Sequence, residues 1–293
     1  MKTTLSFLAA AAVALSSARA AESVKVVSFS TILTEVAQNV GGDAARVVGL
    51  VKPGVDPHEY EPTPGDLRQL ADAKLILASG KNLEHYLNKI AGSASPSVVL
   101  VKVGDAFPSL QLDEEGEGLV QDPHWWHSVA NVEKATKIVR DALIQVDPVD
   151  KAAFTKNASA YLAKLAALNT WVKQKVAELP RDNRELVTSH DAFQYFAKQY
   201  GFTVHPIEGI STDQEPSAKQ VDDLIGTIRK EHVNAIFLED TLNPKVSSEI
   251  TRETGAKIGG TLYADGLGSG EGSTYEGMMK HNVTTIVEAL KQP

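Results

Sequence analysis

Asp56-Pro57-His58 and Asp122-Pro123-His124 repeat one tripeptide within a chain of 293 residues. Each copy falls in a loop that follows an expected strand. A proline fixes its own backbone and pushes the preceding residue towards an extended form, so the histidine after it is held rather than free. Ser189-His190-Asp191 lies at another strand–helix junction, and Asp265 follows a later strand. In open α/β sheets, ligands bind outside the carboxyl ends of the strands. Three imidazoles (His58, His124, His190) and one carboxylate (Asp265) make a tetrahedral donor set for a borderline cation such as Zn²⁺. Spacing alone does not bring four loops together. The other reading of the repeated tripeptide is a pair of turns with solvated histidines.

The remaining histidines carry less. His127 stands three residues after His124, so both could face one metal on a helical turn. A supporting or surface role fits it better, because the first half of the chain already supplies two ligands. His85 and His281 fall inside expected helices, His232 in a last helical turn and His205 in a strand, and all four read as structural or solvated. The glycine-rich run 266–272 lacks the Lys-Ser/Thr of a phosphate loop and contains Glu271, which repels phosphate. Ser189-His190-Asp191 names the members of a hydrolytic triad, but adjacent residues cannot adopt a triad's geometry. Neither a Gly-x-Ser-x-Gly elbow nor a His-Glu-x-x-His helix is present. The acidic run 113–117 reads as a solvated loop.

Composition narrows the chemistry further. The chain has eight histidines and no cysteine, which removes disulfides, thiolate nucleophiles and Cys-type metal sites. The formal charge of −8 argues against nucleic acid as a partner. Residues 1–20 combine Lys2, a short apolar stretch and Ala18-Arg19-Ala20, the order of a signal peptide cleaved before Ala21. Loss of Lys2 and Arg19 makes the mature chain more acidic still. No later stretch is apolar enough to span a membrane. With no cysteine at the cleavage site, we expect a soluble, monomeric periplasmic protein that is not lipid-anchored.

Elements must then position the candidate residues. After Ala21, strands are expected at 24–29, 46–51, 75–78 and 98–103. They alternate with helices at 31–40, 63–73 and 82–91, and 104–123 reads as a long loop. Thr63 and Pro64 make a good helix start, a polar cap followed by proline at the first position. The pattern from Pro148 to Glu178 has no internal Gly or Pro, and apolar residues recur at three and four. It predicts one long rigid helix. Strands then return at 186–188, 202–207, 235–238 and 257–262, with helices at 191–200, 217–232 and 244–254. A capping box at 273–276 opens the last helix. Alternation of this kind implies parallel sheets. The expected architecture is α/β: a signal peptide (1–20), an N-terminal lobe (21–147), a connecting helix (148–180) and a C-terminal lobe (181–293).

From about Val24 to Leu290 the chain resembles the periplasmic zinc- and manganese-binding proteins of ABC transporters, the ZnuA/TroA-like solute-binding family. The motifs that carry the resemblance are Gly54-Val-Asp-Pro-His58-Glu-Tyr-Glu-Pro62, Asp122-Pro-His124-Trp-Trp, Thr188-Ser-His190-Asp-Ala-Phe193-x-Tyr195, Gly209-Ile-Ser211-Thr-x-x-Glu215-Pro-Ser217 and Leu262-Tyr-Ala-Asp265. Tyr275-Glu-Gly-Met-Met279-x-His-Asn282 also fits. The resemblance implies two Rossmann-like lobes joined by one long helix, with metal held between them by His58, His124, His190 and Asp265. It implies zinc capture and delivery to a membrane permease, with no enzymatic activity. A metallochaperone is a possible further partner. Manganese-type members often carry Glu at the third position; His190 there points to Zn²⁺, with Mn²⁺ or mixed use as the alternative. Readings from other classes are a zinc hydrolase, which would keep a coordination position open, and a metal-binding adhesin. Two departures stand out. The region 105–121 has no histidine-rich loop, and His124 is followed by Trp125-Trp126-His127, which leaves His127 open. Glu208 and Glu239 are candidates for orienting the ligands or joining the lobes. Neutral imidazoles are required, so affinity should fall as pH drops through about 6.5.

Overall fold

The computed structural model describes residues 23–114, 118–211, 216–239 and 244–291. The expected signal peptide lies outside these residues, as do Glu215 and most of the acidic run 113–117.

The first lobe opens with β1 (Val24–Ser28), a strand of β-branched residues that is almost wholly buried. Ser30 then caps α1 (Thr31–Gly41) by accepting from the Leu33 amide. β2 (Ala45–Gly49), α2 (Pro64–Leu70), β3 (Leu75–Ala78), a short α3 (Leu87–Ile90) and β4 (Val99–Lys102) complete the lobe's sheet and crossovers. The parallel sheet has the order β2-β1-β3-β4. The second lobe repeats this plan with β7 (Glu185–Thr188), α6 (Gln194–Tyr200), β8 (Thr203–Pro206), α7 (Ala218–Lys230), β9 (Ala235–Leu238), α8 (Pro244–Thr254), β10 (Lys257–Thr261) and α9 (Tyr275–Leu290). Its parallel order, β10-β9-β7-β8, is the same topology counted within the lobe. The central strands β1, β3, β7 and β9 are buried and read as apolar runs, whereas the edge strands β2, β4, β8 and β10 are only partly covered.

Between the lobes, α4 (Val129–Val146) leads into α5 (Lys151–Val176). The long helix is real but shorter at both ends than its periodicity suggests, and its 26 residues span about 39 Å. One face, Phe154, Ala158, Tyr161, Leu165, Leu168, Val172 and Val176, is buried. α5 packs against α1, α4 and α9. These side chains share one apolar core with Val26, Leu33 and Trp125 of the first lobe and Phe193, Met278 and Ile286 of the second.

Three expectations about local structure do not hold. The stretch 104–123 contains an antiparallel hairpin, β5 (Gln111–Glu114) and β6 (Gly118–Gln121), whose first β6 residue Gly118 takes φ +77°. The helix expected at 82–91 shrinks to Leu87–Ile90. Lys81 and Asn82 take left-handed backbone angles, and the buried Glu84 carboxylate accepts the Ser79 and Gly80 amides. These local hydrogen bonds, four and five residues apart, outweigh the apolar spacing of Leu83, Leu87 and Ile90. The last helix is capped by Thr274, whose side chain accepts from the Gly277 amide, not by a box beginning at Ser273.

Candidate metal centre

The repeated tripeptide folds the same way twice. Asp56 Oδ1 accepts the His58 amide at 2.8 Å, and Asp122 Oδ1 accepts the His124 amide at 2.8 Å. Each is an Asx turn that fixes where its histidine leaves the backbone. His58 follows β2, His124 follows the hairpin beyond β4, His190 follows β7 and Asp265 follows β10. All four therefore leave the carboxyl-end side of their sheets.

The lobes face each other so that these four side chains converge. His58 Nε2 lies 3.1 Å from His124 Nε2, and His190 Nε2 lies 3.3 Å from it. Asp265 Oδ1 stands 3.4, 3.5 and 3.4 Å from the Nε2 atoms of His58, His124 and His190. A tetrahedron with metal–ligand bonds of about 2.0–2.1 Å has edges of about 3.3–3.4 Å, so the cluster has the dimensions of one coordination shell. Among the described residues these four form the group able to hold a metal ion. Asp265 Oδ1 is buried with no hydrogen-bond partner, the condition of an acceptor aimed at a cation.

The imidazoles are oriented from behind. His124 Nδ1 lies 2.9 Å from Asp122 Oδ1, and His190 Nδ1 makes a short contact with Glu239 Oε2. A carboxylate only accepts, so the proton sits on Nδ1 and the Nε2 lone pair points into the cluster. Burial lowers the pKa of both rings. For His124, Asp122 and Asp265 outweigh it; for His190, Glu239 and Asp265 do so more strongly. Both rings therefore hold a proton more readily than a free histidine. Burial pushes the Asp265 carboxyl up, but His190, His124 and His58 outweigh it and hold it well below the usual range. The centre is buried yet reachable: His58 lines a cavity of about 820 Å³ together with Lys81, His85, Asp105 and Ser211.

The other candidates separate clearly. Glu239 stands behind His190, as one of its proposed roles required. Glu208 is buried beside the site, its amide donating to Ser189 O. His127 is fully buried and outside the cluster, with Nε2 2.8 Å from Ala264 O. His205 pairs with Glu185, and His281 reaches Thr261 O. His85 sits in a turn and His232 just beyond α7, with φ +54°. Asp122 and Trp126 were missed as contributors. The repeated aspartate was the available signal for the first, and the Trp125-Trp126 pair directly after His124 was the signal for the second.

Two α/β lobes with convergent imidazole and carboxylate donors between them define a class, bilobal binding proteins built around a cation. Comparison with known proteins identifies the family. The ZnuA family, described as zinc-uptake complex component A, periplasmic, matches residues 26–289. TroA of Treponema pallidum, named a zinc-binding protein, is 35% identical over 274 residues, covering 90% of this chain and 88% of the relative. Its solved structure matches with a TM-score of 0.85 at 34% identity, covering 92% of this chain and 99% of that one. MntA of Halalkalibacterium halodurans, named a manganese-binding lipoprotein, is 35% identical over 273 residues, covering 92% and 90%. YfeA of Yersinia pestis, named an iron-binding protein, is 35% identical over 276 residues, covering 93% and 88%. The chain belongs to the ZnuA family. It is a metal-binding solute-binding component of an ABC importer, works with a membrane permease, and is not an enzyme.

One expectation is overturned. A soluble protein without a lipid anchor was inferred from the missing cysteine, yet relatives such as MntA are named lipoproteins. The missing thiol addresses one form of attachment at one residue and does not decide how a chain is held at a membrane.

Proposed function

We propose that this protein captures Zn²⁺ with His58, His124, His190 and Asp265 and hands it to its permease. The relatives named for manganese, iron and zinc are equally similar in sequence, so similarity does not choose the ion. The donor set carries the choice. Three imidazoles and one carboxylate at tetrahedral spacing suit borderline Zn²⁺. The harder Mn²⁺ favours oxygen donors and a larger coordination number. A fourth protein donor, Asp265, also fills the position that a catalytic zinc site leaves to water.

Competitive titration with Zn²⁺ and Mn²⁺ tests the proposal. The expected result is one zinc equivalent, bound more tightly than manganese. Replacing a residue that merely orients a ligand weakens metal binding by about 10–100-fold, so His190→Ala, which removes a donor, should cost at least ~100-fold. Manganese binding as tight as zinc, or an unaffected His190→Ala variant, would reject it.

A further inference from the structure

His127 has no place in the coordination shell, yet it is fully buried beside it. Its ring lies against Phe193, with centroids 4.3 Å apart. Nδ1 is buried with no hydrogen-bond partner, and Nε2 lies 2.8 Å from Ala264 O. Burial, reinforced by His124, pushes its pKa down to about 3. The ring is neutral, and the carbonyl can only accept, so Nε2 carries the proton. Trp126 Nε1 donates to the same oxygen, also at 2.8 Å. Both lone pairs of one carbonyl are thus held by consecutive residues of the first lobe. Ala264 immediately precedes Asp265.

The rest of this segment is held as firmly. Asn282 brackets Tyr263, accepting its amide at 2.9 Å and donating to its carbonyl at 2.8 Å. Thr31 Oγ1 accepts the Leu267 amide at 2.8 Å. Tyr275 donates its hydroxyl to Trp126 O at 2.7 Å, which fixes the donor side in turn. The loop that supplies His124 therefore grips the backbone that supplies Asp265 through two side-chain hydrogen bonds to Ala264 O.

We propose that His127, together with Trp126, is a positioning residue for metal capture: by holding the Ala264 carbonyl it sets Asp265 against the three histidines before the cation arrives. This rests on the four-residue zinc site proposed above. Its physical content is preorganisation, in which the carboxylate is ordered during folding rather than during binding. His127→Phe keeps the ring's bulk and its contact with Phe193 but removes the donor. His127→Gln retains an N–H.

Co²⁺ in place of Zn²⁺ provides the readout, because four-coordinate Co²⁺ absorbs visible light far more strongly than five- or six-coordinate Co²⁺. Wild type should give the intense four-coordinate spectrum. His127→Phe should lose much of that intensity and bind Zn²⁺ about 10-fold more weakly, and His127→Gln should recover both. Trp126→Phe, which removes the other donor, should change the spectrum in the same direction and serves if His127→Phe fails to fold. In an Asp265→Asn background His127→Phe should have no further effect on zinc affinity. A wild-type protein that binds neither ion would reject the zinc site and this inference with it. Tight wild-type binding, combined with an unchanged spectrum in both donor variants or an equal loss in the Asp265→Asn background, would overturn the positioning role alone.

Discussion

At the residue scale, the centre converts ordinary side chains into poised donors by what stands behind them. His124 and His190 are buried, which alone would favour the neutral ring. Asp122, Glu239 and Asp265 reverse that and hold both pKa values above 6.5. In the proposed site, proton and metal compete for the same Nε2 atoms. A raised pKa means that protons begin to win at higher pH, so zinc affinity is full at alkaline pH and declines as pH falls, starting above 6.5 rather than at it. Zinc competition titrations at pH 8, 7 and 6 should show affinity falling with pH. Asp122→Asn should move its onset to lower pH and weaken binding about 10–100-fold at pH 8. An affinity that stays flat from pH 8 to pH 6 would contradict the arrangement. The four candidate side chains that converge were legible in the sequence because the tripeptide repeats and His190 and Asp265 follow strands. The raised pKa values were not, since they depend on Glu239 and Asp122 lying behind the rings.

At the element scale, loops at strand ends place the site, and they depend on close contacts. Gly104 follows β4, and a Cβ there would lie 2.4 Å from Ser79 O and 2.7 Å from the Trp125 indole. Ser79 O already accepts from the Gly104 amide at 2.7 Å and from Trp125 Nε1 at 3.1 Å. Gly104→Ala must separate the end of β3 from Trp125, the residue after His124. Overpacking of this kind costs about 1–3 kcal/mol. The expected outcome is a lower urea midpoint at unchanged slope, with weakened zinc binding. An unchanged midpoint would show that the loop yields without cost. Strands and long helices were readable from period and caps, as at Thr63 and in α5. The hairpin β5–β6 was not, because its mostly exposed residues carry no alternation strong enough to announce it. The stretch 82–91 misled for the opposite reason: good helical spacing lost to the hydrogen bonds of Glu84.

At the scale of the whole molecule, the lobes are joined by more than one helix. Their apolar core is continuous through α5. Glu35 of α1 accepts the Tyr275 amide of the second lobe and the Tyr161 hydroxyl of α5. Tyr195 of the second lobe accepts the Leu110 amide of the first. A wide hinge motion would expose that core and break these bonds together, so metal binding should reorder side chains and loops without rotating the lobes. Small-angle scattering curves of the metal-free and zinc-loaded protein should superimpose. A large drop in radius of gyration on loading would refute a rigid frame.

The amino-acid sequence by itself determined the α/β class, the long helix, the absence of thiol chemistry and four candidate imidazole and carboxylate donors. Those properties are local: period, caps, residue type and position after a strand. Only the tertiary structure decided that the four donors meet, that Asp122 and Glu239 orient the rings from behind, and that His127 lies on a carbonyl outside the cluster. Each of these is a distance between residues far apart in the chain, set by how two sheets pack across one core, and no local pattern encodes it.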